Sequence, residues 1–450
     1  MLTFLMLAAG LCGGLYAQTL PPQEIRRLIP DTIEGGITPK QIIALSNGEG
    51  FLATGTVAKY GIIARLNGCG EEVWSHLYLF GDETGLNGIA ELPSGELVAA
   101  GSCLNCAPGD TTRKALVLKT DANGTILQDT AFGRLNLNAS ADAVIATNDG
   151  KAAVTGSLVI GSFLSPTNAF LTVLDGPAQP AFWREYHQLY YDHPQALAEL
   201  SDGGFVLAGY SFASLFAPRQ AQLFRTDSQG NLLWKNTSAY LNSQFNSVQE
   251  TSGGEIAAFG QRLVDTVSNK DVYLAVHEPG SGILQSERLY GSPANDDGRS
   301  LHAVEGGYLA GGVWGEPRQP GWNVRDWIFR LDENFDLVEE DLYDSYLFAH
   351  SIVNAVPLSP DGKNFAYLST LQFFANRTIL FYKKTLQGRH AILSQAPLHY
   401  QLVPRNLASN TGEVIYEGSL GTPGYYDEMR LKVYRHLEVN PYILEMPVRE

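Results

Sequence analysis

The run Asp202-Gly203-Gly204-Phe205-Val206-Leu207-Ala208-Gly209 is the cleanest copy of a unit that occurs eight times along this chain. Each copy has a polar residue, a small one and an aliphatic one, then a Gly-bearing turn, a short apolar run and usually a closing Gly. The closing glycines are Gly55, Gly101, Gly156, Gly209, Gly260, Gly311 and Gly418, and the copy around Leu368 lacks one. Their mean spacing of about 52 residues points to a repeat architecture of four-stranded units.

Alternation and turn residues divide each copy into strands A to D. In the fourth copy these cover residues 196–200, 205–210, 222–226 and 231–234. Gly and Asp mark the A–B hairpins, and Asp121-Ala122-Asn123-Gly124 and Asp227-Ser228-Gln229-Gly230 mark C–D hairpins, because a tight hairpin needs positive φ. One small four-stranded sheet cannot bury both faces, so copies must stack, and closing the stack into a ring removes its end faces. The expected fold is all-β: a β-propeller of eight four-stranded blades over residues 38–450, with seven blades as the alternative. Residues 18–37 form an N-terminal segment that closes or caps the last blade.

The turns carry a resemblance. Asp227-x-x-Gly230-x-x-x-Trp234, echoed by Asn67-x-x-Gly70-x-x-x-Trp74, looks like the tryptophan-docking turn of quinoprotein-like (PQQ-like repeat) propellers. The Gly-Gly-Phe-Val-Leu-Ala-Gly run is similar to repeats of secreted bacterial propeller proteins. In most copies the Trp is replaced, as by Gln128. Quinone-dependent members imply a calcium-bound cofactor beneath an adjacent Cys-Cys pair; this chain has no Cys-Cys dipeptide, so the resemblance implies a propeller that is not a quinone-dependent enzyme.

Residues 1–17 have the layout of a secretory signal, with an apolar stretch and then Ala17 where a peptidase would cut, although Lys and Arg are missing ahead of it. No second apolar run is long enough to span a bilayer. The expected location is therefore extracytoplasmic, secreted or periplasmic. The net charge of −16 comes without a Lys/Arg cluster, which argues against nucleic acid.

Removing the signal leaves Cys69, Cys103 and Cys106. Strand order puts Cys69 in a C–D hairpin and the other two in a B–C loop, at opposite ends of their blades. The expected disulfide is Cys103–Cys106, with Cys69 free.

Antiparallel order gathers the D–A and B–C connections on one face and the short A–B and C–D turns on the other. The B–C loops at residues 103–113, 158–168, 212–219 and 314–325 are long, which assigns recognition to the D–A/B–C face. Aligned strand A starts carry Lys40, Asn87, Asp142, Gln195, Asn246, Arg299, Asn354 and Arg405, polar in every copy, and two residues later always Ile, Val or Leu. Strand A is innermost in a propeller, so these eight residues should ring the mouth of the central channel, contacting a ligand or capping backbone between blades. Tyr190, His193, Trp314 and Trp322 add loop side chains suited to protein anchors or sugar stacking.

No cofactor is required. His187 and His193 could bind a metal with Asp192, but neither their spacing nor a third His supports it, and Asp296 with Asp297 form a candidate calcium loop set against a plain solvated one. No nucleophile elbow, zinc motif or phosphate loop occurs. The expected function is a monomeric, secreted, non-catalytic module that engages a protein or glycan through the D–A/B–C face. The alternative is an extracellular carbohydrate-active lyase or hydrolase using acids such as Asp142 or Asp296 over the channel mouth.

Overall fold

The computed structural model describes residues 23–29, 37–68, 70–160, 166–174, 180–187, 191–214, 216–264, 269–315, 324–343, 350–373, 376–385, 403–407, 413–422, 425–435 and 442–445. For residues 23–29 and beyond Ser369 it describes backbone alone. The signal segment, Cys69, Tyr190 and Trp322 fall outside the described residues, as does the side chain of Arg405.

All regular structure in the described residues is strand. Six successive units, at residues 37–78, 83–132, 139–186, 191–241, 244–290 and 297–343, are antiparallel and ordered A-B-C-D. The third and fourth also share one parallel bridge, Thr167 to Tyr191. The seventh sheet takes His350–Pro357, Phe365–Phe373 and Asn376–Thr385 as strands A to C, and its fourth place is filled by Gln23–Ile29, running antiparallel to strand C. The N-terminal segment thus joins the seventh copy rather than the eighth. A further sheet holds Val403–Leu407, Glu413–Thr422, Tyr425–Arg435 and Tyr442–Glu445.

The apolar cores explain why the sheets stack. Each described core lies between two consecutive sheets: Leu52 and Ile63 against Leu86 and Leu116 for the first pair, and likewise through the pairs that follow. Leu309 and Ile328 meet Ala355 and Tyr367 between sheets six and seven. Sheet seven then meets sheet one, with Val356 and Leu368 against Ile42 and Phe51. The strands A pack on one another all the way round, so the sheets form a ring with strand A innermost, a β-propeller. The aliphatic residue of the strand A pattern fills these cores, as Ile42, Ile89, Val144 and Leu301 do.

The closing glycine has a local cause. In sheets one to five, strand A carries a bulge at Lys40, Asn87, Asp142, Gln195 and Asn246, skipped in the pairing with strand B. The bulge presses a strand A carbonyl onto strand B. A Cβ at Gly55, Gly101, Gly156, Gly209 or Gly260 would fall on the carbonyl oxygen of Thr38, Gly85, Ser140, His193 or Gln244. In sheet six the bulge is at Arg299, and the glycine under the Asp297 carbonyl is Gly312, one past the expected Gly311. In sheet seven the skipped residue is Val353, not Asn354, and Ser369 stands where the glycine would be. Equating Leu368 with the closing glycine put that copy one residue out of register, and only strand pairing reveals the slip.

The outer ends of the blades are tied by the docking turns. Trp234 Nε1 donates to Pro279 O at 2.7 Å, and its ring covers Gly282 of the next sheet, where a Cβ would be 2.7 Å away. Trp74 covers Gly124 in the same way. Tyr78 and Tyr186 donate their hydroxyls to Gly124 O and Gly230 O, both at 2.7 Å.

Candidate binding site at the axial mouth

A bulge leaves its extra residue outside the ladder and re-aims its side chain. On the innermost strand that direction concerns the axis, and the polar residues at these positions divide by what they touch. Asn87 donates to Ala141 O at 3.0 Å and Asn246 to Gly298 O at 2.6 Å, each reaching the next sheet. Asn354 sits one residue beyond its bulge and grips both polar groups of Ile42, accepting from its N–H and donating to its carbonyl at 2.8 Å each. Gln41, Ser247 and Ser300 hold the same post-bulge place and bond the next sheet likewise. These asparagines belong to the seams between sheets.

Lys40 and Gln195 are exposed, and Asp142 and Arg299 half-buried. Asp142 accepts from Ser140 Oγ at 2.8 Å and Ser157 Oγ at 3.5 Å. Burial pushes its carboxyl up to about 7, against the pull of Ser140 and of the Lys40 ammonium. Lys40 lies in the first sheet and Asp142 in the third, so the two act on each other from sheets that are not neighbours in sequence. Arg299 pairs with Asp297 at 2.5 Å, and Asn246 Nδ2 donates to the same carboxylate at 3.3 Å. Burial raises the Asp297 carboxyl, opposed by Arg299, Lys270 and Arg219.

The fourth sheet supplies an aromatic cluster beside these charges. His193, at the start of strand A (Tyr191–Glu199), is paired across to Tyr210 near the end of strand B (Phe205–Phe212). Their rings stack at 5.1 Å, and Phe212 stands edge-on to Tyr210 at 5.5 Å and to His193 at 6.3 Å. The Arg219 guanidinium lies 5.1 Å from the Tyr210 ring centre while Nη1 donates to Gln244 Oε1 at 2.6 Å. Burial, and the Arg219 charge after it, lowers the His193 imidazole, which keeps it neutral at pH 7. Asp142 also acts on the Tyr210 hydroxyl, so cluster and ring are one neighbourhood. The B–C loop that follows Phe212 carries Phe216, 96% exposed.

Other expected residues do different work. Asp296 ties its own loop to the end of strand B: Oδ2 accepts from Ser292 N at 2.5 Å and Oδ1 from Gly315 N at 2.7 Å, and burial raises its carboxyl to about 6. Both oxygens face N–H donors, a poor environment for calcium. Asp192 is buried with Lys235 at 3.9 Å, and His187 is exposed. No grouping of three metal-ligating side chains occurs among the described residues. Trp314 packs edge-on against Trp327 at 4.8 Å in the core between sheets five and six. Cys103 and Cys106 form a disulfide with Cα atoms 5.8 Å apart, as the strand order requires. The same loop is locked by the buried Asp110–Lys114 pair at 2.6 Å, with Lys114 also donating to Arg134 O and Leu137 O.

Tyr210, Phe212, Arg219 and Gln244 were missed from sequence. A signal existed for the first two: they follow Gly209 at alternate positions, which places them on one side of a strand entering a long loop.

No protein-family model matches the chain, and no curated protein matches it. Among solved structures it is similar to the Dos1 propeller, at 12% identity and TM-score 0.48, over 81% of this chain and 85% of that one. It is also similar to a protein of unknown function from Dyadobacter fermentans, at 12% identity and TM-score 0.44, over 68% and 96% of the two chains. A third is a putative 6-phosphogluconolactonase from Bacteroides fragilis, at 13% identity and TM-score 0.41, over 67% and 84%.

Proposed function

We propose that this protein is a secreted, non-catalytic binding module that takes a glycan at the axial mouth on its D–A/B–C face. The single observation that carries the reading is the His193–Tyr210–Phe212 cluster with Arg219, set against the polar ring residues Asp142 and Lys40. Aromatic faces bind the apolar faces of sugar rings, and planar polar side chains bind their hydroxyls. The layout of residues 1–17 and the Cys103–Cys106 disulfide both suit an oxidising, extracytoplasmic compartment. We count seven blades in the ring, because the core of sheet seven is shared with sheet one. The sheet at residues 403–445 then stands outside the ring.

The test is calorimetric titration of the purified protein with a panel of oligosaccharides, repeated on Phe216→Ser and Phe212→Ser. Loss of affinity by about tenfold in Phe212→Ser, equivalent to about 1.4 kcal/mol, with the melting temperature of Phe216→Ser unchanged, is the expected result. Binding that ignores both changes means the face is wrongly assigned, and capture of a protein with no response to any sugar favours the protein-partner reading.

Asp142 is the one feature that favours an enzyme. A carboxylic acid whose proton equilibrium lies near pH 7 is suited to general acid catalysis. Turnover of the same panel, abolished by Asp142→Asn, would establish it.

A further inference from the structure

We infer that the glycan bound at this mouth is an acidic saccharide whose carboxylate is held between Lys40 and Arg219. This rests on the glycan reading above and adds the chemical class of the ligand. The whole chain carries a net charge of −16, so an anion has no general attraction to it and needs a local one. The mouth provides that. Lys40 projects from the bulge of sheet one, Arg219 and Arg299 come from sheets four and six, and Lys270 lies within range of Asp297.

Of the nearby acids, Asp297 is already neutralised by Arg299 at 2.5 Å. Asp142 is half-buried between two serine hydroxyls. Arg219 has one nitrogen engaged with Gln244 Oε1, and its remaining donors form a planar fork suited to a carboxylate. Lys40 is exposed and provides a flexible point charge from sheet one, near enough to act on Asp142. Arg219 beside the aromatic cluster and Lys40 on the bulge of sheet one supply two cations from different sheets, which fits a sugar ring bearing a carboxylate better than a neutral one. Phe212, Tyr210 and His193 would lie against its carbon face.

A consequence for pH follows. The charged and titratable groups facing Asp142 are Lys40 from sheet one and Tyr210 from sheet four, with Arg219 and the neutral His193 behind Tyr210. Of these, Asp142 changes charge around pH 7. A bound carboxylate is repelled by ionised Asp142 and tolerated by the protonated form, so binding takes up a proton. Affinity should fall as pH rises from 6 to 8.

The probes are tetramers of galacturonate, glucuronate and mannuronate, each with its methyl ester, and a neutral galactose tetramer, titrated calorimetrically into the full-length protein. At least one acid should bind about tenfold or more tighter than its own ester. Arg219→Gln and Lys40→Gln should each shrink that ratio, and Asp142→Asn should flatten the pH dependence. Thermal melting of each variant checks that it folds, and Arg219→Lys should keep part of the preference. If acid and ester bind alike, the carboxylate inference falls while the glycan reading stands. If only the neutral tetramer binds, the inference falls in the same way, and if no saccharide binds at all, both fall.

Discussion

In the first six sheets a carbonyl of strand A occupies the space that a Cβ on strand B would need. The glycines that recur along the chain are the other half of the bulges that aim residues such as Lys40 and Asp142, so the same event that marks the repeat also builds the mouth. Gly209→Ala should therefore destabilise the protein although alanine is small. The methyl group meets His193 O and the Pro194 Cα, both backbone, and forcing them apart costs about 1–3 kcal/mol. Chemical denaturation measures the loss. Because His193 stands beside the bulge, the same change should weaken ligand binding by shifting the His193–Tyr210 stack. The glycines were legible in sequence and their partner carbonyls were not, since contact across a ladder depends on register. Asn354 shows the cost of that gap: one missing glycine moved its alignment by one residue, and a seam residue was read as a ring residue.

Between elements, short polar bonds join what the apolar cores press together. Each sheet buries aliphatic side chains against the next, but the backbone beside the bulge still needs partners, and Gln41, Asn87, Asn246, Ser247, Ser300 and Asn354 provide them from the neighbouring sheet. The seam between sheets seven and one depends on a single side chain for two of these bonds. Asn354→Ala strips both from Ile42, leaving a buried N–H and C=O unpaired, at a cost of about 1–3 kcal/mol. Urea unfolding of this variant should show a lower midpoint. An unchanged midpoint would mean that this seam contributes nothing to closure. The outer docking turns work similarly through Trp234 and Tyr186. Those tryptophans were visible from sequence because the turn and the Trp lie within eight residues of one another; their receptor glycines lie about fifty residues further on and were not.

At the scale of the whole molecule, a strand from the N-terminal end of the chain completes the sheet of the seventh copy. Gln23–Ile29 completes the sheet whose strand C ends at Thr385, so the first described strand and the seventh copy form one blade. Deleting residues 1–29 should therefore abolish cooperative melting or lower it steeply, whereas ending the chain at Thr385 should leave a single transition at nearly the same temperature. Differential scanning calorimetry of the two truncations decides between seven blades and eight, because an eight-bladed ring would fail in the second case. The all-β class, the repeat, the hairpins, the face with long loops and the Cys103–Cys106 pairing could all be read from the chain itself. Each depends on turn chemistry and alternation within one copy, which is local. The partner of each sheet, the copy that receives the N-terminal strand, and the contacts among His193, Tyr210, Phe212 and Arg219 were decided by folding alone. The aligned strand A starts already marked Lys40 and Asp142 for the axis, whereas Arg219 comes from a B–C loop, and its place over Tyr210 depends on a ladder that only the fold sets.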